Sequence, residues 1–77
     1  MMKTVTIQLN TINDVKNFVT IVSKYPFDVV LRSGRFAIDA KSIMGIFSLD
    51  LSRPLTMELL SDDCDTFLEE IKAYLVD

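Results

Sequence analysis

Histidine is missing from these 77 residues, which removes the side chain best suited to moving a proton or forming a nitrogen-centred covalent intermediate near neutral pH. Cysteine is almost missing as well. Cys64 stands alone, so an internal disulfide is excluded and, without histidine, the usual zinc ligand sets cannot be assembled. The two glycines make no glycine-rich phosphate loop, no cysteine has a base beside it, and no carboxylate pair converges. On that inventory no enzymatic activity and no cofactor are expected. Lysine and arginine read as scattered rather than clustered in a chain of formal net charge −3, so the electrostatic footprint of a nucleic-acid binder is lacking and no direct nucleic-acid contact is expected. No apolar run is long enough to cross a bilayer, and Met1-Met2-Lys3-Thr4 leads straight into strand-like sequence without the apolar stretch of about 7–15 residues found in signal peptides. The expected location is cytoplasmic, with no membrane insertion.

What is present suits one small domain spanning 1–77. Apolar residues make up 49% and charged residues 25% of the chain, enough hydrophobic material for two packed layers. A chain this short buries only about two thirds of the surface its unfolded form exposes.

Val5, Ile7 and Leu9 alternate with Thr4, Thr6 and Gln8, the period of a strand with one buried face. Val15, Phe18, Val19 and Val22 then recur at helical spacing, predicting a helix from about Asn13 to Lys24. Thr11, Asn13 and Asp14 supply its capping and first-turn signals, and Tyr25-Pro26 ends it. Asp28 to Arg32 and Phe36 to Asp39 read as a hairpin around Ser33-Gly34. Ser42 opens a short helix to Leu49 with Ile43, Ile46 and Phe47 on one side, and Asp50 to Pro54 is loop. Leu55, Met57 and Leu59 alternate in a fourth strand. Ser61-Asp62-Asp63 caps a last helix carrying Cys64, Phe67, Leu68, Ile71 and Leu75. The order is βαββαβα, an α+β fold with a mostly antiparallel sheet and the longer helices on one face. Periodicity leaves the strand order open, and a ferredoxin-like arrangement begins the same way.

Ala40-Lys41-Ser42-Ile43-Met44-Gly45-Ile46-Phe47-Ser48-Leu49 closely resembles the regulatory-serine segment of HPr, the histidine-containing phosphocarrier family of the bacterial phosphoenolpyruvate-dependent sugar phosphotransferase system. Ser23-Lys24-Tyr25 and Leu55-Thr56-Met57 support the likeness at consistent spacing, over nearly the whole chain. The resemblance implies an HPr-like open-faced β-sandwich, with a four-stranded antiparallel sheet in the order 1-4-2-3 under three helices.

The departures from the family are concentrated at one place. The resemblance sets Thr11 where the phosphorylated histidine would be, Asn13 where an arginine would be and Asp14 where a proline would be. An alcohol stays protonated at neutral pH without a neighbouring base, and its phosphate esters do not readily pass the group onward. Without the arginine a bidentate phosphate ligand is gone, and an aspartate sits where a helix start would otherwise favour an anion. Phosphocarrier competence is therefore not expected.

Ser42 matches the serine that an ATP-dependent regulatory kinase phosphorylates in the family, after which the protein docks on a catabolite-control regulator. The resemblance further implies that Ile43, Met44 and Phe47 form an exposed apolar patch for partner recognition. Read locally, Ser42 is a helix cap and Ile43 and Phe47 are core residues one helical turn apart. Cys64 reads as a small apolar residue, because Asp62, Asp63 and Asp65 oppose thiolate formation. Those aspartates lack the spacing and loop glycine of an EF-hand. The expected function is regulatory, through protein partners such as a kinase, a transcription regulator or a sugar-transport component. The alternative is a non-phosphorylated binding or scaffold domain that keeps only the fold.

Overall fold

Alternation of apolar and polar residues builds the sheet. In the computed structural model, which describes residues 3–61 and 64–76, strands β1 (Lys3–Ile7), β2 (Val29–Ser33), β3 (Phe36–Asp39) and β4 (Leu55–Leu59) pair antiparallel in the order β1-β4-β2-β3. Helices α1 (Ile12–Val22), α2 (Ile43–Phe47) and α3 (Asp65–Glu70) separate or follow them, and a 3₁₀ turn occupies Lys72–Tyr74. This is the α+β architecture and 1-4-2-3 order that the resemblance implied.

Register sorts the two faces. Val5, Met57, Leu31 and Ile38 lie opposite one another across the four strands, and Thr6, Thr56, Arg32 and Ala37 form the next row on the other face. Met57 and Leu31 are buried, whereas Thr6, Arg32 and Ala37 are exposed. The buried face packs against Val15, Phe18 and Val22 of α1, Ile46 of α2 and Phe67 of α3 in one core cluster. Removing each large side chain of this kind from water stabilises the fold by about 1.5–3 kcal/mol.

The β2–β3 hairpin turns through Gly34 and Arg35, and Gly34 has φ +59. A positive φ at the first turn position is the condition that glycine meets without steric cost.

Both ends of the chain's helical plan are shorter than periodicity predicts. Helix α1 stops at Val22 rather than Lys24, and the N–H groups of Lys24 and Tyr25 bond three residues back to the carbonyls of Ile21 and Val22, tightening its end. Helix α3 stops at Glu70, so Leu75, expected on it, is extended instead and bridges to Ile7. The reason is the outer edge of β1. Val76 N–H donates to the Thr6 carbonyl (2.9 Å) and Gln8 N–H to the Tyr74 carbonyl (2.8 Å). The tail thus satisfies edge groups that a continued helix would leave open. At the start of α3, Cys64 occupies the N-cap position without a side-chain cap bond. The capping expected from Ser61-Asp62-Asp63 falls in part on Asp62 and Asp63, which lie outside the described residues.

Candidate functional site

At the start of α1, extended backbone at Thr11 (φ −128, ψ 165) turns the chain into the helix. The Asp14 N–H donates to Thr11 Oγ1 at 3.0 Å. In return the Asp14 carboxylate accepts the N–H of Asn10 at 3.0 Å and of Thr11 at 3.3 Å. This reciprocal capping box engages both the hydroxyl oxygen and the nearby free N–H groups. An incoming anion would meet a carboxylate already seated there. Asn13 is exposed and contributes no side-chain bond among the described residues.

The start of α2 has the same outline and a different occupant. Ser42 (φ −97, ψ 103) is exposed, and its Oγ accepts the Gly45 N–H at 3.1 Å. No acidic side chain lies in the first turn. The neighbouring Lys41 is committed elsewhere, because its Nζ donates to the Tyr25 carbonyl at 2.9 Å and its N–H to Asp39 Oδ1 at 2.9 Å. Gly45 leaves little room: a Cβ built there would lie 3.2 Å from Ser42 Oγ and 3.4 Å from Ile38 Cβ, so α2 sits close on β3.

The apolar residues of α2 divide by face. Ile46 is fully buried, Ile43 is half-buried against the core, Met44 is 76% exposed and Phe47 41% exposed. Thus the local reading holds in part for Ile43, while Met44 and Phe47 stand in solvent as the resemblance implied. Ile12 was not singled out from sequence. It is 62% exposed and lies outside the core cluster, although it falls three residues before Val15 on the helical stripe. Periodicity alone files it with the core. Cys64 is buried, in line with its reading as a small apolar residue.

At the opposite end of α1, Lys24 Nζ donates to Glu70 Oε1 at 2.8 Å and the Tyr25 hydroxyl donates to the same carboxylate. Tyr25 also packs edge-on against Phe67 at 5.1 Å between ring centroids. The bond to Glu70, with desolvation and the carboxylate's charge, pushes the Tyr25 phenol up to about 12. The bonds from Lys24 and Tyr25 hold Glu70 below the ordinary carboxylate value.

Fold and site together define a small open-faced sandwich that presents two hydroxyl-capped helix starts and exposed apolar side chains. The sequence pattern of the PTS-HPr family, described as the PTS HPr component phosphorylation site, matches residues 12–77. The chain belongs to the HPr family, whose members are phosphocarriers of the phosphotransferase system. The crystal structure of HPr-C-His from Thermoanaerobacter tengcongensis is similar at TM-score 0.76 and 26% identity, over 92% of this chain and 88% of that one. The phosphocarrier protein HPr from Bacillus anthracis str. Ames is similar in fold at TM-score 0.74 and 24% identity, over 97% and 98% of the two chains. No curated protein matches the sequence. The family match begins at Ile12, one residue after Thr11. Among the described residues no helix is long and apolar enough to cross a membrane.

Proposed function

We propose that this HPr-family chain is a non-enzymatic, cytoplasmic regulatory protein of one domain, 1–77, that does not carry phosphate on a histidine and acts by binding protein partners under control of phosphorylation at Ser42. The observation that carries this reading is the contrast between the helix starts. Asp14 already occupies the start of α1, while Ser42 is exposed with no carboxylate in the first turn behind it. A phosphate added there brings up to two negative charges and three acceptor oxygens next to Met44 and Phe47, which changes what that surface can bind. Ile43, Met44 and Phe47 are the proposed partner contacts, and a regulatory kinase, a transcription regulator or a sugar-transport component are the proposed partners.

A second reading has its own support. Ser42 Oγ is engaged with the Gly45 N–H, which suits a cap that is never modified and a scaffold that keeps only the fold. Incubation with ATP and a regulatory kinase from the same organism separates the two. One added phosphate by mass spectrometry, lost in Ser42→Ala, is expected. No incorporation with any such kinase would leave the scaffold reading. With phosphoenolpyruvate and the first enzyme of the phosphotransferase system the protein is expected to stay unlabelled.

A further inference from the structure

The arginines that look dispersed in sequence converge in space. Arg32, Arg35 and Arg53 are the only arginines of the chain, and all three line one cleft of about 480 Å³ between the β2–β3 hairpin, the end of α2 and the entry to β4. No lysine lines it, and Asp50 is its one acidic lining residue. In a chain of net charge −3 this concentrates positive charge at one end.

The guanidinium groups are only partly engaged. Arg32 Nε pairs with Glu58 at 2.8 Å, which leaves its terminal N–H groups uncommitted to that pair. Arg53 Nε stands 3.6 Å from Asp50 Oδ2, beyond hydrogen-bond range, with both side chains largely exposed. Asp50 is held instead by Ser52, through its N–H at 3.1 Å and its hydroxyl at 2.5 Å. Arg35 makes no hydrogen bond or ion pair among the described residues. Beside them Phe36 is 68% exposed at the hairpin.

Two available guanidinium forks reaching one cleft suit a group with three acceptor oxygens better than a carboxylate, whose two oxygens a single fork satisfies. The volume falls within the range of about 300–1,000 Å³ typical of small-molecule sites, more than a bare phosphate ion fills. An exposed ring on the rim offers a wall for a carbon skeleton. We propose that this cleft binds a small organic phosphate, with Arg35 and Arg53 on the phosphoryl group and Phe36 against the organic part. The site lies past the C-terminal end of α2, away from Ser42, and does not depend on modification of that serine.

Titration of the ¹⁵N-labelled full chain with phenyl phosphate tests it. Saturable amide shifts at Gly34, Arg35, Phe36 and Ser48 are expected, with orthophosphate and benzoate each weaker by about tenfold. Arg35→Gln and Arg53→Gln are each expected to weaken phenyl phosphate by about tenfold. Phe36→Ala should weaken phenyl phosphate while leaving orthophosphate unchanged. Unaltered amide shifts of β1 and α1, which do not line the cleft, certify the fold in each variant. Absence of saturable shifts, shifts centred elsewhere, binding that survives the double arginine variant, or equal binding of benzoate or a polyglutamate peptide would each overturn the assignment, the last by giving the cleft to carboxylates or acidic proteins.

Discussion

Helices α1 and α2 begin alike and end up chemically opposite. Each starts at an exposed hydroxyl residue in extended backbone, and each hydroxyl accepts the N–H three residues on, at 3.0 Å for Thr11 and 3.1 Å for Ser42. Only α1 adds a carboxylate, Asp14, that returns to the N–H groups of Asn10 and Thr11. A helix start can favour one anion, and the capping box supplies it internally. The comparison teaches that two helix starts with the same hydroxyl cap can differ in whether the chain's own carboxylate already engages the N–H groups there.

Grafting the family's residues back onto α1 is the strongest way to break the contrast. Thr11→His combined with Asn13→Arg and Asp14→Pro restores the imidazole and the guanidinium and removes the seated carboxylate. This triple variant is expected to take acid-labile phosphate from phosphoenolpyruvate and the first enzyme. Thr11→His alone is expected to label about a hundredfold more slowly, the cost typical of spoiling preorganised anion stabilisation. Equal labelling of the two would show that Asp14 is no obstacle.

Stability sharpens the same contrast on a smaller scale. Thr11→Ala removes one half of a reciprocal box and is expected to cost about 1–2 kcal/mol in urea unfolding, whereas Ser42→Ala removes a single cap bond on a five-residue helix and is expected to cost about 0.5–1 kcal/mol. The reverse ranking would mean that α2 depends on its cap more than α1 does.

The far end of α1 makes a pH prediction of its own. Glu70 titrates below its ordinary value of 4.5 in the fold, so its contribution is present above that value and disappears as pH falls through the folded-state value. The Tyr25 phenol is raised from 10.0 to about 12, so its contribution is present below 10 and disappears as pH rises toward 12. Melting temperature should therefore decline at both extremes. Glu70→Gln is expected to flatten both arms and Tyr25→Phe mainly the alkaline one, since the carboxylate is the main cause of the phenol's shift.

The smallest effect is expected at Gly45. Alanine there gains about 1 kcal/mol in helix propensity, but its Cβ crowds Ser42 Oγ at 3.2 Å and the β3 side chain Ile38 at 3.4 Å. A net change near zero, with the Gly45 amide proton exchanging faster than in the parent, would fit that balance. A clear gain in stability would show that α2 can move off β3.

Much of this fold was legible because its signals are local. The strands at Phe36–Asp39 and Leu55–Leu59 fall on the expected residues, since alternation and flanking turn residues are written in a few consecutive positions. The helix starts at Thr11 and Ser42 were legible for the same reason. The early end of α3 was not, because Leu75 fits a helical stripe and only the open edge of β1 explains why Leu75 and Val76 leave it. Ile12 escaped notice because periodicity records which side of a helix a residue is on, not whether another part of the chain covers it there. The arginine cleft escaped because Arg53 is remote in sequence from Arg32 and Arg35, and charge scattered along a chain says nothing about where strands bring it.

The amino-acid sequence by itself determined the element order, the two hydroxyl caps, the missing imidazole and the apolar alternation of β1 and β4, all of which are read within a turn or two of chain. Tertiary structure alone decided the pairing that carries the tail onto β1, the exposure of Ile12, Met44 and Phe47, the fastening of Tyr25 and Lys24 to Glu70, and the meeting of three arginines. Those features depend on residues far apart in sequence, whose proximity is set by the burial of the sheet face and by the hydrogen-bonding demand of its edges.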